Sequence, residues 1–242
     1  MTDSGNDPGG RVAELERRAP VPQGTGDRFG GYAVMGLTFA GGDVLALRRF
    51  PASSAGRPYT SVWHRSAEAK WTFYSDVSEH QGCDRYWGPL VDHHVVAPIR
   101  LEWTAPYRLL VSVDGGRLLS WSLVLRPTAA TTVLNLLATW LPDSWWGQTA
   151  VLRAMAAAAR ALLGTGPMRL RGRTPSGHRF TSTPQALWDI SSSSATLNGR
   201  DLGRPGPLVS QATLGEFAIP QRGLFVLGRV TMEAPHRAGS GR

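Results

Sequence analysis

Ile99-Arg100-Leu101-Glu102-Trp103, Leu109-Leu110-Val111-Ser112-Val113 and Leu119-Ser120-Trp121-Ser122-Leu123-Val124-Leu125 are three short runs in which every second residue is apolar. Strand side chains point alternately to opposite faces, so each run predicts a β-strand with one face buried. Asp114-Gly115-Gly116 lies between the second and third runs, and Asp-Gly is a strong hairpin signal. The three together predict an antiparallel meander.

The same grammar extends upstream. Strand-like runs cover residues 32–39, 43–50, 59–65 and 70–76, with Gly41-Gly42, Pro51 and the loop Ser66-Ala67-Glu68-Ala69 between them. Downstream the period changes. Ala130, Val133, Leu134, Leu137, Ala138 and Leu141 follow helical spacing after Pro127, with Thr128 as N-cap. Pro142 ends that helix and Asp143 is placed to cap the next. The second helix carries the stripe Val151, Met155, Ala159 and Leu162 and stops at Gly164. Strand-like runs resume at 168–173, 178–182, 186–191, 195–197 and 224–233.

The fold expected is mainly β: an antiparallel calycin- or lipocalin-like barrel or sandwich, whose closure removes exposed edges, with a helical pair inserted at about 128–163. A single domain should span 28–234. Residues 1–27 and 235–242 are rich in Gly, Pro and charge and read as disordered, apart from one helix-like run at 12–18.

Composition removes several classes of function. The formal charge is +8, yet Lys70 is the only lysine and the arginines are mostly scattered singly, which looks like the codon bias of a GC-rich genome. A nucleic-acid binder concentrates its basic residues, so nucleic acid is not an expected partner. Cys83 is the only cysteine, which rules out an intrachain disulfide. The N-terminus lacks the basic-then-apolar pattern of a signal peptide, and no run reaches membrane-spanning length, so the cytoplasm is the expected location.

No cofactor is expected either. Lys70 has no phosphate-loop context, and at the start of a strand it makes a poor buried Schiff-base amine. Gly164-Thr165-Gly166 follows a helix and precedes a strand, the reverse of a dinucleotide fingerprint. No Gly-x-Ser-x-Gly elbow occurs.

The polar stretch from Tyr74 to His94 is the richest in chemistry, with Asp76, Glu79, His80, Cys83, Asp84, Arg85, Tyr86, Asp92, His93 and His94. Acid–base catalysis needs His or carboxylate groups with tunable pKa values. Asp76, His80 and Asp92 are the candidates, with Tyr74 or Tyr86 as hydrogen-bond partner. The spacing of His80, Cys83 and His93 or His94 matches no standard zinc pattern, so no metal is assigned.

Tryptophan is the second signal, with nine in the chain. Trp63, Trp103 and Trp121 lie on predicted strands and are candidate ligand contacts, since aromatic walls suit a flat apolar molecule. Trp140, Trp145 and Trp146 cluster at the turn between the helices. There Trp145 and Trp146 could close a barrel mouth, or mark at most weak peripheral membrane contact. Arg169, Arg171 and Arg173 share one face of a strand, with Arg179 on the next. They read either as a solvated face or as a ladder for a carboxylate or phosphate.

Tyr86-Trp87-Gly88, Pro98-Ile99-Arg100-Leu101-Glu102-Trp103-Thr104, Asp201-Leu202-Gly203 and Pro220-Gln221-Arg222-Gly223 resemble stretches of an actinobacterial protein family, over about residues 29–233. That family supplies no activity to carry over. More distantly, the layout is similar to the lipocalin-like carotenoid hydratases and natural-product cyclases. The likeness implies a barrel around an apolar lipid-, isoprenoid- or polyketide-like molecule. Two functions follow: a barrel that holds such a molecule, or a cofactor-free enzyme that hydrates, cyclises or isomerises it by acid–base catalysis.

Overall fold

The computed structural model describes residues 7–18, 20–142, 145–146 and 148–235. A helix α1 (Pro8–Arg17) precedes four strands, β1 (Asp27–Thr38), β2 (Val44–Ser53), β3 (Tyr59–Arg65) and β4 (Trp71–Ser75). The short α2 (Asp84–Trp87) leads to β5 (His93–Val96) and the meander β6 (Ile99–Ala105), β7 (Arg108–Val113) and β8 (Leu119–Arg126). The inserted pair is α3 (Ala129–Trp140) and α4 (Thr149–Leu163). Then come β9 (Arg171–Arg173), the long β10 (Arg179–Leu197), β11 (Arg200–Asp201), β12 (Thr213–Leu214), β13 (Phe217–Ala218) and β14 (Leu224–Glu233).

One large sheet runs in the order β5-β4-β3-β2-β1-β14-β10-β8-β7-β6, with β9 and β11 also on β10 and a separate β12–β13 ribbon. The fold is mainly β, with the inserted helices expected, and the sheet curls into a half-barrel. All pairings are antiparallel except β4 with β5. The predicted meander is in register, with Val111 opposite Trp121 and Trp103 opposite Leu109.

The alternation along each strand sorts the core. Val62 of β3, Val111 of β7, Trp121 of β8 and Phe225 of β14 belong to one cluster although their strands are far apart in the sheet order. Only the curl brings them together, so this cluster fills its inside. The alternate residues, among them Ala46, Trp63, Phe73 and Phe180, form a second cluster on the outer face with α2 and the β12–β13 ribbon. A third, smaller cluster packs Leu134 of α3 and Leu163 of α4 on Leu187, Leu224 and Val226.

Two regions differ from expectation. Residues 1–27 read from sequence as disordered apart from a helix-like run at 12–18; among the described residues α1 covers Pro8–Arg17 and plugs the inside of the curl, with Val12 2% exposed in the inner core. Asp7 caps the helix through the Gly10 N–H (2.8 Å), and Glu16 meets Arg49 (2.9 Å) and the Tyr32 hydroxyl (2.9 Å). Gly9 donates to the Pro106 carbonyl at 3.0 Å, an approach that a Cβ would crowd. Only Val12 and Leu15 bring apolar side chains to this contact, too few to show a period. Residues 236–242 of the expected tail and Asp143 lie outside the described residues.

The second difference is α3. Thr128 caps it through a capping box, as its sequence predicts. However, Val133 and Leu137 are half-exposed and Trp140 is 79% exposed, so the apolar stripe faces outward in part. The helix is held instead by Asn135. Its amide donates to the Leu187 carbonyl (3.0 Å), and its oxygen accepts from the Leu187 N–H (2.8 Å). Leu187 lies before β8 begins to pair with β10, and Asn135 supplies the missing edge partner. No described helix is long and apolar enough to cross a membrane.

Candidate functional site

The inside of the curl holds the buried cluster around Val111 and Trp121, and a cavity lies on the outer face. It is a cavity of about 120 Å³ between the sheet, α3, α4 and the ribbon. Phe29, Ala33 and Met35 of β1 wall one side, with Arg48 of β2 and Tyr59 and Trp63 of β3. Leu134, Ala138, Met155 and Ala159 come from the helices, and Phe180 and Phe217 from β10 and β13. Gly31 and Gly228 face one another across β1 and β14 and line the space, and a Cβ on either would run into the backbone of Arg49 or Thr183. Four of the chain's five methionines, Met35, Met155, Met168 and Met232, line it. Thioether chains re-pack readily around varied shapes.

Arg48 is the buried cation of this mainly apolar wall. Alternation puts it on the face of Val44 and Ala46, and it is 6% exposed. Its guanidinium lies 4.6 Å from the Trp63 ring centre and 5.4 Å from that of Phe217. Nη1 donates to the Val34 (2.5 Å) and Leu47 (2.8 Å) carbonyls, and Nη2 to Met35 (3.3 Å), beside a bulge in β1. Those bonds use three of five N–H donors. Among the described residues no carboxylate pairs with it. Burial without a counter-charge lowers its pKa to about 10.

Arg229 of β14 also lines the space, and the thiol and the phenols of the wall are neutral. Burial pushes the Cys83 thiol up to about 11 and raises Tyr59 well above the usual range; their Sγ and Oη are 3.5 Å apart. Burial, then the hydrogen bond to Asp27 (2.7 Å), raises Tyr86.

Of the residues singled out from sequence, Trp63, Tyr86 and Cys83 line this cavity. Tyr74 and Trp121 belong to the inner core, with Trp121 Nε1 donating to Ser193 (2.9 Å), and Trp103 packs against that core beside Phe225. Trp145 is half-exposed and Trp146 is 7% exposed. Asp76 accepts from the Thr60 N–H (2.7 Å), and Asp92 accepts from Trp71 N–H (2.8 Å) and from Lys70 (3.1 Å). Lys70 is 66% exposed, so the chain's only amine side chain is away from the cavity. His80 borders a separate open cleft with Glu79, Asp84, Arg85 and His94. There Asp84, whose pKa burial raises despite its hydrogen bond with His94, is paired to the His94 Nδ1. Among the described residues no cluster of three His, Cys, Asp or Glu could hold a metal.

Sequence reasoning missed Arg48, which reads as one more scattered arginine. A signal was present: β2 is apolar on both faces, through Val44 and Ala46 and through Leu45 and Leu47. A strand of that kind is covered on both sides, so an arginine on it is buried.

No family model matches the chain, and no curated protein matches it. Solved structures similar in fold include two acetoacetate decarboxylases. One is acetoacetate decarboxylase from Legionella pneumophila subsp. pneumophila (13% identity, 92% of this chain and 93% of that one, TM-score 0.39). The other is a second acetoacetate decarboxylase structure (10% identity, 88% and 89% coverage, TM-score 0.43).

Proposed function

We propose that this protein binds a small apolar molecule in the cavity beneath α3 and α4, with an oxygen acceptor of that molecule against Arg48. The observation that carries the reading is Arg48 itself, a buried cation in a mainly apolar wall that has no carboxylate partner among the described residues. A buried charge is costly unless paired, and a ligand oxygen would use its spare donors. The volume is close to the roughly 150 Å³ of an apolar cavity known to take up benzene, so the enclosed part of the ligand is one ring or a short branched chain. The four methionines let the wall adjust to it.

Catalysis on such a molecule has less support. Asp76, His80 and Asp92 are not in the cavity wall, and Tyr59, Cys83 and Tyr86 are all raised in pKa and hold their protons at neutral pH.

The test compares acetophenone with ethylbenzene, by quenching of intrinsic tryptophan fluorescence. The ketone should bind at least tenfold tighter, the scale of one hydrogen bond to a charged group, about 1.5–3 kcal/mol. Arg48→Met should abolish the difference, and Ala159→Phe should weaken both ligands. If neither compound binds the folded protein, the reading fails.

A further inference from the structure

Beside the apolar cavity lies an open cleft of about 730 Å³ whose wall carries Arg153, Arg169, Arg171, Arg173 and Arg179. Among the described residues Glu216 is the only carboxylate in that wall. It is 3.5 Å from Arg169 and also accepts from the Arg173 backbone N–H at 3.0 Å. Arg171 donates to the Thr149 hydroxyl at 2.9 Å. Five guanidinium groups thus line a wall with one carboxylate, and Glu233 of β14 lies opposite Arg179.

The local structure forces them together. Arg171 and Arg173 are two apart on β9 and point to one face, and Arg173 is directly opposite Arg179 on β10. Like charges placed opposite one another destabilise a sheet, so the ladder favours an anion that neutralises them. Between them Gly172 sits against Phe180, where a Cβ would come within 2.8 Å of the ring and of Glu216. Phe180 is also a wall of the apolar cavity, and Ala156, Met168 and Leu170 border both spaces. The cation-rich cleft and the apolar cavity thus adjoin along Ala156, Met168 and Leu170.

Taking the binding reading above as its basis, we infer that the ligand is a phosphorylated amphiphile: its apolar body occupies the cavity and its phosphate sits in the arginine cleft. A phosphate ester offers several oxygens to bidentate guanidinium contacts, and several arginines at once suit it better than a single carboxylate.

The probes are 3-phenylpropyl phosphate, 3-phenylpropanol and inorganic phosphate, titrated against the full chain and against Arg171→Gln/Arg173→Gln. Both positions are exposed, and Gln keeps their length and polarity. Circular dichroism checks that the variant is folded. The amphiphile should bind at least tenfold tighter than the alcohol and tenfold tighter than inorganic phosphate. The double variant should lose the advantage over the alcohol and leave alcohol binding unchanged. Equal binding of amphiphile and alcohol, unmoved by the double variant, overturns the inference while leaving the cavity reading intact. Inorganic phosphate binding as tightly as the amphiphile also overturns it, since the cleft is then a separate anion site. If only inorganic phosphate binds, the cavity reading has failed and this inference with it.

Discussion

The Arg48 guanidinium lies 4.6 Å from the ring centre of Trp63, and no carboxylate among the described residues neutralises it. A cation over an indole face is favourable by about 0.5–2 kcal/mol, which offsets only part of the cost of burying it. Lysine in place of arginine would keep the charge and lose the planar contact and the fork of donors to Val34, Leu47 and Met35. Arg48→Lys is therefore expected to lower the melting temperature and to weaken ketone binding tenfold or more. Differential scanning calorimetry and the fluorescence titration read the two effects separately.

Cys83 is 4% exposed, and its thiol is held neutral by burial, with a pKa of about 11. Thiolate is the nucleophile, so iodoacetamide at pH 8 should alkylate the native protein only slowly and the denatured protein rapidly. Because Cys83 lines the cavity, the slow native reaction should become slower still with ligand bound. Mass spectrometry of the timed reaction measures both. Rapid native alkylation would mean that the cavity floor is open to solvent.

Asn135 joins the helical lid to the sheet through two hydrogen bonds to Leu187. Asn135→Ala removes both and leaves a backbone N–H and carbonyl unsatisfied, at a cost of about 2 kcal/mol. Urea denaturation should show that loss as a shift in midpoint at unchanged slope. An unaltered midpoint would mean that the lid is not docked through Asn135.

The docking of α1 depends on Glu16. Burial opposes its charged form, but hydrogen bonds and charge from Arg49, with a further bond from Tyr32, hold its pKa below the usual carboxylate value. A depressed carboxylate stabilises the fold above the unfolded pKa, near 4.3, and the contribution disappears as pH falls through the folded value. The size is modest, about 1 kcal/mol, because the pair is partly solvated. Wild type should therefore lose stability from pH 5 toward pH 3 more steeply than Glu16→Gln. Deleting residues 1–25 should cost more at all pH values, because Val12 leaves the inner core. Thermal denaturation across that range checks both.

The β-meander was readable because every second residue is apolar and Asp114-Gly115 marks its turn. The helix ends were readable because Thr128 and Gly164 have side chains, or lack one, as caps require; Gly164 indeed takes a left-handed conformation (φ 63°). The run from 178 to 197 was less legible. Three predicted strands are one, β10, whose pattern is broken by register shifts near Pro184 and Ile190. The site was legible in Trp63, Tyr86 and Cys83. Which polar residues become buried depends on partners distant in the chain: Asp43 is fixed by Arg200 and His64, and Asp189 by Arg126 and Arg222. No local spacing separates those acids from the exposed ones, and none marks Arg48 as facing a space completed by α4 and β13.

The most direct test uses the methionines. Met35, Met155, Met168 and Met232 come from β1, α4, the segment before β9 and β14, and they meet only around this cavity. With ¹³C-methyl methionine, titration by acetophenone should move all four methyl signals with one dissociation constant. Intermolecular NOEs should connect each methyl to the aromatic ring of the ligand, and Ala159→Phe should suppress them. Signals that stay fixed while the ligand binds would place it elsewhere and contradict the assignment of the cavity as the binding site.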